Sequence, residues 1–186
     1  FAALGCRASD HGLDFVPDTP RDGSRADRAV REIRAGRAVD HEGSAAVLLE
    51  VLHLAAGLLG EDDAVLQLHL GARRDVSPRL RSTVGPDAGG DAIGDYPQDA
   101  GLDRLMAALA AAGGLPRTVL YNANPRDNAL FATLAGAFSR SGVAGLVQWG
   151  PPWWFNDHEW GIRRQLQVLS EVGQLAGFVG MLTDSR

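Results

Sequence analysis

Five short apolar runs recur along this chain, each left through polar residues and separated by segments of helical pattern, and this alternation restricts the fold more than any other feature. The runs are residues 1–6, 64–70, 118–121, 143–149 and the beginning of the closing stretch 178–186. Short and mostly apolar, they suit parallel strands that are covered on both faces. Strand and helix in alternation specify an α/β fold, either a closed barrel or an open doubly wound sheet. The exits favour the barrel. Ser9-Asp10-His11, His69, Asn122 with Asn124, Gln148 with the tryptophans after it, and Asp184 with Arg186 all sit where strands end. Functional groups gathered from the carboxyl ends of many strands are the mark of a (β/α)8 barrel. No G-x-G-x-x-G or phosphate-binding loop supports the nucleotide-binding alternative. Five strands are rather more than half of such a barrel, so residues 1–186 read as a single, incomplete TIM-barrel domain, a fragment of a longer chain.

Helices are expected over 26–35, with Ala26, Val30 and Ile33 inward, and over 42–59, with Val47, Leu48, Val51, Leu52, Ala55 and Leu59 inward. A third covers 99–112 and buries Leu102, Leu105, Met106 and Leu109 before Gly113-Gly114. Asn124 followed by Pro125 is a helix start, with Leu130, Phe131, Leu134 and Phe138 as its apolar stripe. The last helix spans 159–176 on Ile162, Leu166, Leu169 and Val172. Residues 75–97, rich in Gly, Pro and Asp, have no periodicity and read as a long loop, a functional lid or a disordered segment.

Charge and composition narrow the functional classes. A net charge of −5 argues against a nucleic-acid partner, which wants a basic face. No apolar run approaches the roughly 20 residues of a membrane span, so no membrane role is expected. The lone Cys6 builds no disulfide framework and points to a reducing, cytoplasmic location; it reads as inert packing inside the first strand. All eighteen cations are arginine, which removes lysine Schiff bases and carbamylated lysine bridges from these residues.

The closing strand carries the sharpest pair. Asp184 and Arg186, two apart, share one face of a strand, and a buried acid and cation must pair or serve chemistry. Asp184 suits a metal ligand or a general base. Arg186 offers a planar fork for a carboxylate, or an ion-pair partner for Asp184 or Asp10. His69 could bind metal or substrate, or be a hydrogen-bonded core histidine. Arg73 and Arg74 behind it make the surroundings cationic and suited to an acidic ligand, with one of the two facing solvent. Asp10 and His11 are adjacent on a strand, so one faces the site, and Asp10 is favoured. Trp153 and Trp154 could pack on a sugar face or plug the barrel rim. Asn156-Asp157 reads as a cap on the last helix. By spacing and chemistry alone the chain is a barrel enzyme with an acidic substrate and one metal.

Five stretches in order, Gly5-Cys-Arg-Ala-Ser-Asp-His-Gly12, Gln67-Leu-His-Leu-Gly-Ala72, Asn124-Pro-Arg-Asp-Asn128, Trp153-Trp-Phe-Asn-Asp157 and Val179-Gly-Met-Leu-Thr-Asp-Ser-Arg186, resemble the uronate (glucuronate) isomerase family of the amidohydrolase superfamily. The resemblance implies a TIM barrel of which this chain is about strands 4 to 8. It implies aldose–ketose isomerisation of hexuronates, D-glucuronate to D-fructuronate and D-galacturonate to D-tagaturonate, through a cis-enediol. It also implies a divalent metal, usually zinc, bound by Asp184 and by further ligands outside this chain, with His69 a candidate ligand. Asp184 would then be base or metal ligand, and Arg186 would bind the substrate carboxylate or a hydroxyl. Asp10, His69 and Trp153 or Trp154 would line the site, with Arg73 near the acidic substrate. A small-molecule hexuronate is the expected partner, in a chain that could form a homo-oligomer. The alternatives are a metal-dependent hydrolase on the same scaffold and a fragment without activity of its own.

Overall fold

The computed structural model describes residues 2–180. Asp184 and Arg186, with all of 181–186, lie outside them. Phe178–Gly180, the start of the fifth expected strand, run without regular structure. In chain order the elements are β1 (Ala8–Leu13), α1 (Gly23–Arg34), α2 (His41–Glu61), β2 (Val65–Leu70), β3 (Ala72–Arg73), α3 (Pro78–Thr83), β4 (Ala92–Ile93), α4 (Asp99–Ala111), β5 (Arg117–Asn122), α5 (Asn128–Ala137), β6 (Val147–Trp149) and α6 (Glu159–Val172). Short 3-10 turns lie at Ala2–Leu4, Pro125–Asp127, Trp154–Asn156 and Leu175–Gly177. The chain divides into two compact units, one of residues 1–9, 16–66 and 99–117, the other of 10–15, 67–98 and 118–186.

The first unit is helical. Asp22 caps α1 by accepting from the Arg25 N–H at 2.9 Å, and Asp40 caps α2 by accepting from Gly43 at 2.7 Å. The two helices meet through small residues, the expected Ala26 among them, rather than through Val30 and Ile33. Ala26 and Ala29 are the buried positions of α1, whereas Val30 and Ile33 are exposed. A Cβ on Gly43 of α2 would lie 3.3 Å from the Ala29 Cβ. The buried line of α2 runs through Ala45, Ala46, Leu49, Leu52 and Ala56; of the expected stripe Leu52 is buried, Val47, Leu48, Ala55 and Leu59 are half-buried, and Val51 is exposed. At 21 residues and a hydropathy of 1.6, α2 is by length and composition an apolar segment long enough to cross a bilayer. A core helix passes the same test. α4 follows the sequence reading, with Leu102, Leu105, Met106 and Leu109 all buried and Gly113 at φ +70° ending the run. Its Gly101 is obligatory, since a Cβ there would stand 1.8 Å from the Val16 carbonyl oxygen.

The second unit holds residues 10–13, 67–70, 118–122 and 147–149 of a four-stranded sheet ordered β1-β2-β5-β6. β5 and β6 are parallel, with Thr118 opposite Val147 and Leu120 opposite Trp149. Leu68 and Leu70 of β2 are fully buried, and Gln67 and His69 alternate with them onto the other face. The first strand is displaced from its expected place. β1 is the polar stretch Ala8–Leu13, not residues 1–6, and Cys6 is exposed in the approach to it. Apolar content alone put that strand early; hydrogen bonding put it where the polar side chains are.

Residues 71–98 are more ordered than their composition suggests. β3 and β4 pair antiparallel, Ala72 with Ile93 and Arg73 with Ala92. Between them Ser77 caps α3, and carboxylates hold the turns. Asp91 accepts from the Asp75 N–H at 2.8 Å, and Asp75 in turn accepts from the Asp87 N–H at 3.0 Å and from Arg81 at 3.0 Å. α5 buries Phe131 and Leu134 as expected, after a 3-10 turn that Asn124 caps. α6 ends at Val172, four residues short of the expected 176, and Gln165 is its buried residue; Val172 is exposed.

Candidate active site

β1 and β2 bring together two residues 59 positions apart. Asp10 Oδ1 lies 2.6 Å from His69 Nδ1. A carboxylate can only accept, so the proton of the neutral ring belongs on Nδ1 and Nε2 is left as the acceptor. The ring is fixed on its other sides by aromatic contacts. Tyr121 of β5 lies flat on it, centroids 4.0 Å apart and planes within 5°, and Trp153 meets it edge-on at 4.4 Å. The Tyr121 hydroxyl donates to Gln67 Oε1 at 2.6 Å, two residues before His69 on the same face of β2. Burial, with a smaller contribution from the Asp10 charge, pushes the Tyr121 phenol up to about 12, so it stays protonated at neutral pH.

A pocket of about 260 Å³ opens beside this pair, lined by Asp10, Asp14, His69, Arg74 and Trp153 among others. Of the two arginines considered for an acidic ligand, Arg74 is the one in the lining; Arg73 sits in β3, outside it. The Arg74 guanidinium stands 4.8 Å from the ring centre of Trp154 and is tied to Asp91 at 3.2 Å and Asp87 at 3.4 Å. The two tryptophans therefore divide the work, Trp153 against the histidine and the pocket, Trp154 under the arginine. Trp154 holds φ +51°, an unusual conformation for a bulky residue that costs on the order of 1–3 kcal/mol and is characteristic of functional turns. The Trp153 indole N–H is buried without a partner among the described residues.

A buried amide network fixes the ends of β5 and β6. Asn122 donates to Asn128 Oδ1 at 2.8 Å and accepts from the Trp149 indole N–H at 2.7 Å. Asn156 donates to the carbonyls of Asn122 and Ala123 at 3.0 and 3.1 Å. The residue expected to cap the last helix thus pins the Trp153–Asn156 turn to the end of β5. His158 caps α6 instead, Nδ1 accepting from Gly161. Sequence reading selected Asp10, His69 and the tryptophans but passed over Tyr121, Gln67 and Asp14. The spacing of Gln67 and His69, i and i+2 on one face, was the available signal; Tyr121 had none, because its partner lies on another strand.

Among the described residues no three His, Cys, Asp or Glu side chains gather to hold a metal. His69, with one ring nitrogen held by a carboxylate and the other open, has the form of a single ligand and not of a site.

The glucuronate isomerase family model matches residues 1–186. The chain belongs to the glucuronate isomerase family. Uronate isomerases of Serratia proteamaculans and Salmonella newport are each 43% identical to it, over 186 and 187 residues, and the match covers 100% of this chain and 40% of each relative. The chain thus spans about 40% of the length of the curated relatives it matches. The uronate isomerase structure from Thermotoga maritima superposes with a TM-score of 0.87 at 32% identity, over 100% of this chain and 40% of that one. The glucuronate isomerase structure from Caulobacter crescentus has the same fold, with a TM-score of 0.79 at 23% identity, over 100% of this chain and 37% of its own. The fold class of this family member is α/β, part of a (β/α)8 barrel, as the strand-end polar residues indicated.

Proposed function

We propose that the protein carrying this chain interconverts aldose and ketose hexuronates, D-glucuronate with D-fructuronate and D-galacturonate with D-tagaturonate. The observation that carries this reading is the Asp10–His69 pair facing a polar pocket in a chain matched throughout by the glucuronate isomerase family. In the reaction a proton leaves C2, O1 gains a proton as O2 loses one, and C1 receives the transferred proton, all through a cis-enediol. Such chemistry needs a base at carbon and a group that trades protons with the two oxygens. Asp184 is proposed as the base or as a metal ligand. His69, with Nδ1 held by Asp10, keeps Nε2 for a substrate hydroxyl or, in its place, for a metal. Arg186 is proposed for the carboxylate or a hydroxyl, and Arg74 supplies positive charge in the pocket lining.

A divalent metal, zinc by chemical preference for nitrogen and carboxylate ligands, would take Asp184 and His69 Nε2 together with ligands from elsewhere in the protein. Bound there it would polarise the carbonyl oxygen. Membership of the amidohydrolase superfamily, a cytoplasmic location and a homo-oligomeric state belong to the same proposal.

The test is D-glucuronate turnover by the full-length protein, followed by the appearance of ketose in NMR spectra. Conversion that Asp184→Asn abolishes is expected. A folded, metal-supplemented protein that forms no ketose from either uronate would overturn the reading.

A further inference from the structure

The environment of Tyr121 is built more closely than packing alone requires. It meets two residues on one face of the neighbouring strand, its ring flat on His69 and its hydroxyl donating to Gln67. Its other side is fixed by Gly150, where a Cβ would stand 2.3 Å from Tyr121 Cε1 and 2.7 Å from Cδ1 and Cζ. Gly150 cannot retreat. Its N–H donates to the Leu120 carbonyl at 2.8 Å, and its carbonyl accepts from the buried Gln165 amide. Gln165 is a polar residue on the buried face of α6, 2% exposed, and this bond accounts for its presence there. A line of contacts thus runs from α6 through the Gly150 backbone and the Tyr121 ring to the imidazole of His69.

We propose that Tyr121 is a positioning residue for the reaction, holding the His69 ring in the one orientation that leaves Nε2 as its open nitrogen. Asp10 fixes one ring nitrogen but leaves the ring free to tilt about that bond. The phenol stacked across the face removes the tilt, and Trp153 at the edge limits rotation the other way. The stacked face, not the hydroxyl, is the working part, since the hydroxyl points its proton to Gln67. Misplacement of a catalytic group by about 1 Å is enough to cost on the order of 100-fold in rate.

This inference rests on the isomerase reading for its rate measurement and on geometry alone for its spectroscopic one. The experiment compares Tyr121→Phe, Tyr121→Leu and Gly150→Ala in the full-length protein. Tyr121→Phe keeps the stack and is expected to hold kcat within about threefold, whereas Tyr121→Leu lowers kcat by about 10- to 100-fold with KM changed far less. Gly150→Ala pushes the intact ring aside and is expected to reproduce the kcat loss, which keeps the test decisive if Tyr121→Leu folds poorly. Independently of turnover, the His69 ring protons in selectively labelled protein lose their upfield ring-current shift in Tyr121→Leu and keep it in Tyr121→Phe. A Tyr121→Leu enzyme with unchanged kcat, or a Tyr121→Phe enzyme as slow as Tyr121→Leu, overturns the proposal. Absent turnover by every form, with the ring-current shifts as expected, would refute the isomerase reading and leave the geometry standing.

Discussion

Asn156→Ala removes the two hydrogen bonds that fasten the tryptophan turn to the end of β5. The side chain is 7% exposed, and its amide donates to two backbone carbonyls, of Asn122 and Ala123. Each such bond is worth about 0.5–1.5 kcal/mol net, and a buried acceptor left without a donor costs about 1–3 kcal/mol. Water reaching one of the two carbonyls would relieve part of this, so a loss of about 2–4 kcal/mol is expected. Asn156→Asp should be worse at neutral pH, because a carboxylate has no proton to offer and faces two carbonyl oxygens. Its folded-state pKa would be raised above the ordinary value of about 3.9 by that environment, so the native protein holds a proton that the unfolded chain releases. Stability of this variant should therefore fall as the pH rises from that value and recover toward Asn156→Ala in acid. Urea unfolding of the full-length protein at several pH values, followed by tryptophan fluorescence, measures both effects. A loss under about 0.5 kcal/mol for Asn156→Ala, or an Asp variant with no pH dependence, would refute the account of this network.

Gly101→Ala should lower stability by about 3 kcal/mol or more, since the added methyl meets a backbone oxygen that cannot rotate away; a thermal melt within error of wild type would contradict this. The Arg21–Glu50 pair, at 2.6 Å, holds the Glu50 carboxyl below its usual range through its hydrogen bond. Being partly exposed, it should contribute less than about 1 kcal/mol, present above pH 4.5 and lost as the pH falls through the lowered pKa, measured as the stability gap to Arg21→Ala across an acid titration. Asp10→Asn should reduce kcat by about 10- to 100-fold by loosening the hold on His69 Nδ1, with steady-state kinetics as the measure and an unchanged kcat as the refutation.

The parts of the fold legible in the sequence are those decided by large apolar residues at regular spacing. α4 is the clearest, its Leu102, Leu105, Met106 and Leu109 all buried as expected. α1 and α2 misled for a physical reason. Hydrophobicity points to Val30, Ile33 and Val51, but two helices approach closely only through small side chains, and Ala26, Ala29 and Gly43 made the contact. β1 misled because its residues are polar. Its strand character comes from its neighbour and its chemistry from Asp10, neither of which a hydropathy pattern records. In the site, His69 and Trp153 stood out as polar or aromatic residues at strand exits. Tyr121 did not, since an aromatic residue in an apolar strand looks like core until the neighbouring histidine is seen.

The fit of Tyr121 against Gly150 fixes an order on sequence change. While position 121 carries a six-membered ring, any side chain at position 150 must push that ring aside, so a lineage enlarges 150 without a clash only after 121 has shrunk. The first step on that route loosens the histidine, and the second yields nothing without the first. Glycine is therefore held at 150 by a residue on a different strand for as long as that residue stays aromatic.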